Sequence, residues 1–106
     1  MIGPVRGGIF WLTMEQEGEH PVCVLTRNEA IPILDNIVVA TISTHIWGIP
    51  TEVRLGPGDG MLYECAVSLD NLRTVPKSLL TEEITVLTPE RIHEVCAALA
   101  TATSCG

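Results

Sequence analysis

The side chains that could bind a metal or act as nucleophiles are scattered along this chain. It has four cysteines and three histidines, and no cysteine pair has the C-x-x-C spacing of zinc or redox motifs. Cys23 and Cys65 lie in apolar segments of strand type, and Cys96 lies on an apolar helical stripe. These positions favour buried free thiols, with a disulfide or a metal site as the alternative. Because no cluster of His, Cys and carboxylates has ligand spacing, we predict chemistry without a metal or cofactor.

The charge balance limits what the chain can bind. Six Lys and Arg oppose thirteen Asp and Glu, for a net charge of −7. A nucleic-acid-binding protein usually presents a basic surface. With so few cations, this chain cannot present a basic surface over a wide area, so any binding to a nucleic acid must be local and weak.

The length and hydropathy predict one domain, residues 1–106. Hydrophobic residues make up 46% of the chain, yet no apolar run approaches the ~18 residues of a membrane span. The first residues do not form a secretory signal, so a cytoplasmic protein without membrane association is expected. The high apolar content of so small a domain suggests a face that a partner covers.

Short segments rich in β-branched and aromatic residues alternate with turns, and one amphipathic helix follows them. The helix should begin after Thr88, a good N-cap, with Pro89 in its first position. Its apolar stripe would be formed by Ile92, Val95, Cys96 and Leu99. This pattern predicts a mainly β fold, a small and strongly bent β-barrel with a C-terminal helix packed on it. The predicted strands are 8–14, 21–26, 35–45, 51–55, 61–69, 72–75 and 83–87.

Several of these segments together resemble the MazF/PemK toxin family over nearly the whole chain. The opening R-G-G-I with a following Trp is similar to the family's RGD-I-x-W. The strongest match is the family's acid-amide-x-Arg-Thr-x-x-Lys-x-x-Leu stretch. The segments that carry the resemblance are 6–11, 20–25 (HPVCVL), 38–43 (VVATIS), 50–53 (PTEV) and 69–80.

That resemblance implies an SH3-like barrel that works as a homodimer, the toxin of a type II toxin–antitoxin system, with a MazE-like antitoxin as its partner. Members of the family cut single-stranded RNA at short sequences. They do so without metal: the ribose 2′-OH attacks the adjacent phosphate and leaves a 2′,3′-cyclic phosphate and a 5′-OH.

The family's catalytic pair, an Arg opening strand two and a Thr or Ser ending strand three, falls on His20 and Ser43. Ser43 keeps the hydroxyl donor. His20 replaces a permanently charged guanidinium, which grips phosphate with a planar fork, by an imidazole that titrates near neutral pH. A histidine can transfer protons in RNA cleavage, so His20 is either a general acid or base or a polar residue in a degenerate site.

Five further residues are candidates. Asp70 and Asn71 match family positions near the RNA, where the Asn71 amide could read a base edge or make a turn hydrogen bond. Trp47 could stack a base, seal the barrel rim or line an antitoxin groove. Arg27 could meet a phosphate or be a solvated loop residue. Arg73 matches a position expected to support the dimer interface.

Two other functions remain open. A gyrase-poisoning toxin of the CcdB type shares the barrel and would suit the acidic charge, but this chain lacks that family's apolar C-terminal end. The other alternative is a catalytically degenerate member that acts by binding an antitoxin.

Overall fold

The computed structural model describes residues 3–106; Met1 and Ile2, which the predicted domain 1–106 includes, lie outside the described residues. Within this range the chain forms six β-strands and one α-helix, with single 3-10 turns before β5 and β6. The strands are β1 (Gly8–Met14), β2 (Gly18–Val24), β3 (Asn36–Ser43), β4 (Glu52–Leu55), β5 (Cys65–Pro76) and β6 (Leu80–Val86), and the helix is α1 (Pro89–Thr103).

All six strands belong to one antiparallel sheet in the order β4-β5-β3-β2-β1-β6. The sheet curls until its two edges approach each other. The Thr85 hydroxyl on β6 donates a hydrogen bond of 3.0 Å to the carbonyl of Asp59, in the turn that follows β4. The molecule is therefore a curled half-barrel with a C-terminal helix, and the predicted mainly β fold is confirmed.

Apolar residues fill both sides of the curled sheet. One cluster, which includes Ile9, Val67 and Leu69, packs against Val95 of the helix. A second cluster on the other face includes Leu12, Ile37 and Val39. Because β1, β2 and β3 contribute to both clusters, consecutive residues of each strand are apolar and buried, such as Val22, Cys23 and Val24 in β2.

Helix α1 begins as its sequence predicts. The Thr88 side chain accepts a hydrogen bond of 3.3 Å from the Arg91 N–H, and Pro89 occupies the first turn. Such a cap contributes about 1 kcal/mol. The ion pair between Arg91 and Asp59, at 2.9 Å, then fastens the helix to the turn after β4.

Three strands differ from their predicted limits by three residues or more. β2 begins at Gly18 rather than at residue 21. Gly18 adopts a positive φ of 77°, which permits a tight turn between β1 and β2, so the pairing of the two strands extends to Met14 and Gly18. Residues 72–75 and most of 61–69 form the single strand β5, which begins only at Cys65 and is interrupted by a bulge. β6 begins at Leu80 rather than at residue 83.

The cysteines are free in the described chain. Cys23 and Cys65 are buried, Cys96 is half-buried and Cys105 is exposed. Burial raises the pKa of the Cys23 thiol to about 12, although the nearby Arg6 guanidinium opposes the shift. These buried thiols are therefore protonated packing groups. Within residues 3–106, no helix has the length and apolar content needed to cross a membrane.

Candidate functional site

His20 and Ser43 lie at the same end of the sheet. The β2–β3 ladder ends with Val22 opposite Thr41, and each candidate lies two residues beyond that last pair. Because side chains alternate along a strand, both project from the same face as Val22 and Thr41. Both are exposed. The structure therefore places these two residues on either side of the opening between β2 and β3, and no hydrogen bond within residues 3–106 joins them directly.

One ring nitrogen of His20 is already engaged. Its Nε2 lies 2.7 Å from the carbonyl oxygen of Glu17 in the β1–β2 turn. A carbonyl oxygen only accepts hydrogen bonds, so Nε2 carries the hydrogen and donates it. Nδ1 is left as the nitrogen that can take up or release a proton. The turn thus fixes both the orientation of the imidazole and its neutral tautomer.

The Ser43 hydroxyl is oriented by the loop that follows it. The backbone N–H of His45 donates to Ser43 Oγ at 3.0 Å. This contact uses one acceptor lone pair of the hydroxyl and leaves its O–H group free to donate. Ser43 is therefore prepared to offer a hydrogen bond to an anionic oxygen.

Asp70 and Asn71 lie in the bulge that interrupts β5. The β3–β5 register passes from Ala40 opposite Leu72 to Thr41 opposite Ser68, so residues 69–71 have no partners on β3. Bulges commonly redirect side chains next to functional sites. Asp70 accepts a hydrogen bond from the Thr51 hydroxyl at 2.5 Å, and the Asn71 amide donates to Ser68 Oγ at 3.0 Å. The side-chain carbonyl oxygen of Asn71 remains available to accept a hydrogen bond.

Trp47 lies on the loop that joins Ser43 to β4. Its ring is 71% exposed and packs against the His45 ring, with centroids 4.5 Å apart and a tilt of 39°. The Glu52 carboxylate accepts hydrogen bonds from the backbone N–H groups of Trp47 and Gly48 at 3.0 and 2.9 Å. An exposed aromatic pair is therefore held next to Ser43 by a fixed loop.

Arg73 is connected to the His20 end of the molecule by its contact with Glu17. The two side chains form an ion pair with a distance of 3.2 Å. Glu17 consequently connects two candidates, because its backbone carbonyl orients His20 while its carboxylate holds Arg73. This role could not be predicted from the sequence, since Glu17 and Arg73 are 56 positions apart.

Arg27 is not part of this group. It lies in the turn after β2, at the strand's opposite end from His20, roughly 20 Å away along an extended chain. It is also the one Lys or Arg among residues 3–106 whose side chain has no hydrogen bond or ion pair. The other five bind Cys96, Glu64, Glu17, the Ile31 carbonyl and Asp59. The site therefore contains no free cation.

The described part of the chain holds no group of three or more His, Cys, Asp and Glu side chains that could bind a metal ion. The site contains an imidazole held in one orientation, a hydroxyl donor, an amide and an exposed aromatic pair. These groups suit proton transfer and hydrogen bonding to a polar substrate.

Comparisons with known proteins agree with this geometry. The family described as PemK-like, MazF-like toxin of type II toxin-antitoxin system matches residues 5–103. The probable endoribonuclease MazF5 of Mycobacterium tuberculosis is 38% identical over 103 residues, which cover 96% of this chain and 94% of the relative. The probable endoribonuclease MazF2 of the same species is 31% identical over 102 residues, 95% of this chain and 100% of the relative.

Solved structures give the same result. A mycobacterial endoribonuclease in complex with its cognate antitoxin superposes with a TM-score of 0.87 at 27% identity, covering 97% of each chain. The Mycobacterium tuberculosis toxin MazF-mt6 superposes with a TM-score of 0.84 at 30% identity, covering 92% of this chain and 96% of that one. The chain is a small curled-sheet toxin domain. It belongs to the PemK/MazF toxin family of type II toxin–antitoxin systems.

Proposed function

We propose that this chain is the endoribonuclease toxin of a toxin–antitoxin pair, and that it cleaves single-stranded RNA by intramolecular attack of the ribose 2′-OH on the adjacent phosphate. The products are a 2′,3′-cyclic phosphate and a 5′-OH. The observation that carries the proposal is the juxtaposition of His20 and Ser43, each with one group free, just beyond the last pair of the β2–β3 ladder.

In this mechanism His20 Nδ1 takes the proton from the 2′-hydroxyl. The Glu17 carbonyl keeps the ring in the tautomer with Nδ1 unprotonated, which is the form a general base needs. The Ser43 hydroxyl donates to a nonbridging oxygen of the phosphorane, where negative charge builds up. As the bond between the 2′-oxygen and phosphorus forms, the bond between phosphorus and the 5′-oxygen breaks, and the 5′-oxygen takes a proton from water. His20 then returns its proton to solvent, and neither step needs a metal.

The neighbouring residues bind the RNA around the scissile phosphate. Trp47 stacks a base, a contact worth about 1–3 kcal/mol. Asn71 reads a base edge with its free carbonyl oxygen, and Asp70 limits which bases fit beside it. For Arg73 we propose a different role from the dimer contact that the resemblance implies: its guanidinium leaves Glu17 for a phosphate when RNA binds. Their ion pair is an exposed one, with side chains 37% and 49% accessible, and such pairs contribute only about 0–1 kcal/mol.

The protein works in the cytoplasm as a homodimer whose activity a cognate antitoxin blocks. The apolar content of the chain supports a covered interface, and a similar solved structure contains an antitoxin. Static light scattering at micromolar concentration should give about twice the 11.5 kDa of one chain. A monomeric mass throughout that range would exclude the dimer.

Incubation of the purified protein with single-stranded RNA in EDTA tests the activity. We expect new 5′-OH ends, detected by labelling with polynucleotide kinase and [γ-32P]ATP without prior phosphatase treatment. Products with 5′-phosphates, or activity that EDTA abolishes and added divalent metal restores, would rule out this mechanism. The Ser43→Ala variant is the matched control for a contaminating nuclease.

A second candidate function is binding without cleavage. It is favoured by the pairing of Arg73 with Glu17, which leaves the site without a free cation. A protein that binds antitoxin but yields no 5′-OH ends at any pH would support it. The family match argues against the gyrase-poisoning alternative.

A further inference from the structure

His45 is a second histidine at the Ser43 end of the sheet. It lies two residues beyond Ser43, in the loop that leads from β3 to β4, and it is exposed. Its backbone N–H is the group that donates to Ser43 Oγ at 3.0 Å. Neither nitrogen of its ring makes a hydrogen bond within residues 3–106. The cleavage proposed above uses His20 and Ser43 and leaves this imidazole without a role.

The loop holds the His45 ring in a defined place. The ring packs against Trp47 with centroids 4.5 Å apart. The Glu52 carboxylate fixes that part of the loop, because it accepts hydrogen bonds from the backbone N–H groups of Trp47 and Gly48. The loop is thus tied to Ser43 on one side of the ring and to β4 on the other. Trp47 is 71% exposed, so its ring can stack a base while it supports His45.

The order of the strands places Ser43 between the two histidines. β2, which carries His20, adjoins β3 on one side, and β5 and then β4 follow on the other. The loop with His45 leads from β3 towards β4 and therefore away from β2. In phosphoryl transfer the attacking and leaving oxygens lie roughly in line on opposite sides of phosphorus. A base on one side of Ser43 and an acid on the other match that requirement.

The leaving 5′-oxygen needs a proton, and water is a weak acid. An imidazole titrates near neutral pH, so a fraction of such side chains carries a proton that can be donated there. Arg73 is unsuitable, because a guanidinium does not release its proton in this pH range. Tyr63 lies with Pro21 and Ile42 around a cleft of about 330 Å³. Pro21 and Ile42 precede or follow the two site residues by one position, so the cleft is on the opposite face of the sheet.

We propose that protonated His45 is the general acid of the cleavage and donates its proton to the 5′-oxygen in place of water. The inference rests on the proposed function. As the bond between phosphorus and the 5′-oxygen breaks, its electron pair stays on the oxygen, which takes the proton from His45 and leaves as the 5′-OH. His45 is then neutral, and His20 holds the proton of the 2′-hydroxyl. Exchange with solvent restores both rings.

An RNA with sulfur in place of the bridging 5′-oxygen tests the assignment. The sulfur is placed at the cleavage site once that site has been mapped in ordinary RNA from its 5′-OH ends. A thiol is a far stronger acid than an alcohol, with a pKa of about 8.5 in cysteine, so a thiolate departs without a proton. The 2′-hydroxyl still needs its base. Removal of the acid should therefore slow cleavage of ordinary RNA only.

Single-turnover rates of two histidine variants separate the acid from the base. His45→Gln should lose at least about a hundredfold with ordinary RNA and less than about threefold with the thio-substituted RNA. His20→Gln should lose at least about a hundredfold with both. His45→Gln retains the backbone N–H that donates to Ser43. His93→Gln is the matched control, because His93 is an exposed histidine on α1, and it should cleave both RNAs at the wild-type rate.

The pH profile gives a second measurement. With ordinary RNA the wild-type rate should decline towards the alkaline end of the range from pH 5 to 9, because only the protonated imidazole of His45 donates. His45→Gln, and the wild type with thio-substituted RNA, should lack this decline. The titratable groups on the neighbouring elements are Glu52 on β4, Asp70 on β5, and Glu17, Glu19 and His20 at the start of β2. Histidine is the side chain whose charge normally changes between about pH 5 and 8, so the two limbs of the profile belong to His20 and His45.

The outcomes distinguish this inference from the proposed function. Equal losses of His45→Gln with the two RNAs would overturn the inference, because His45 would then position Ser43 or the RNA without donating a proton. A His45→Gln variant as fast as wild type with ordinary RNA would also overturn it, while the endoribonuclease activity would stand. Wild-type protein that cleaves neither RNA would remove the proposed function and the inference together.

Discussion

Replacement of His20 by glutamine separates proton transfer from the structural role of the ring. The imidazole Nε2 donates to the Glu17 carbonyl at 2.7 Å. A glutamine amide can place its nitrogen in nearly the same position and keep this hydrogen bond, but it cannot exchange a proton near neutral pH. His20→Gln therefore removes the base and little else.

The expected loss is that of a general base, about 10²- to 10⁴-fold in the rate of the chemical step. This corresponds to roughly 2.7–5.4 kcal/mol at 1.36 kcal/mol per tenfold. Stability should change by less than about 1 kcal/mol, because His20 is exposed and a neutral hydrogen bond contributes about that much. A urea titration of each variant checks that the fold is intact.

Single-turnover cleavage of an end-labelled RNA from pH 5 to 9 is the assay. At the acidic end of this range the wild-type rate should rise as pH increases, because only the unprotonated imidazole can act as the base, while the rates of His20→Gln and His20→Ala should be slow and should not rise with pH. His20→Arg distinguishes the other roles. If it cleaves faster than wild type, the site needs a charged side chain that binds the phosphate, a role that a histidine fills poorly. If His20→Ala cleaves as fast as wild type at every pH, our assignment of the base is incorrect.

Three other expectations follow from the structure. Ser43→Ala should lower the single-turnover rate at least tenfold, with Ser43→Thr close to wild type, because only the hydroxyl is needed. Between 50 and 200 mM NaCl, kcat/KM should fall less than about threefold. Proteins with many phosphate contacts lose about 10³- to 10⁵-fold in affinity over this range. A steep decline would contradict the small number of phosphate contacts proposed here. Hydrogen bonding from Arg91 holds the pKa of Asp59 below its ordinary value, so this pair stabilises the fold above about pH 4 and its contribution disappears as pH falls through the lowered pKa. Arg91→Gln should therefore cost about 1 kcal/mol in urea unfolding at pH 7 and progressively less as pH falls below about 4, and a loss that does not change with pH would contradict the assignment.

The features that depend on local sequence were predictable. Thr88 and Pro89 define the start of α1, and the β-branched run over 35–45 predicts the central strand, observed as β3. The bulge in β5 was not predictable. Residues 61–69 and 72–75 look like two strands because the three bulge residues interrupt the alternation, and only pairing with β3 makes them one.

The candidate site was recovered only in part, for a physical reason. His20 and Ser43 are predicted from the resemblance of segments 20–25 and 38–43 to the MazF/PemK family. The groups that orient them come from backbone atoms, namely the Glu17 carbonyl and the His45 N–H. Any residue type supplies such atoms, so they leave no trace in the sequence. The pairing of Arg73 with Glu17 likewise depends on the curl of the sheet.

The acidity of the chain can be reconciled with an RNA substrate through this pairing. A toxin with a permanently basic groove would bind RNA tightly and nonspecifically. Here the Glu17 carboxylate occupies Arg73, and a phosphate must replace it before the cation contributes to binding. The exchange is feasible because the ion pair is exposed and weak. In the proposed mechanism, substrate affinity then depends on base contacts by residues such as Trp47 and Asn71 more than on charge. Glu17→Gln should accordingly increase affinity for RNA of any sequence, by releasing Arg73, and reduce discrimination between sequences. A fluorescence titration with two unrelated 2′-O-methyl oligonucleotides measures both effects, and unchanged affinity for both would show that the Glu17 carboxylate does not restrain Arg73.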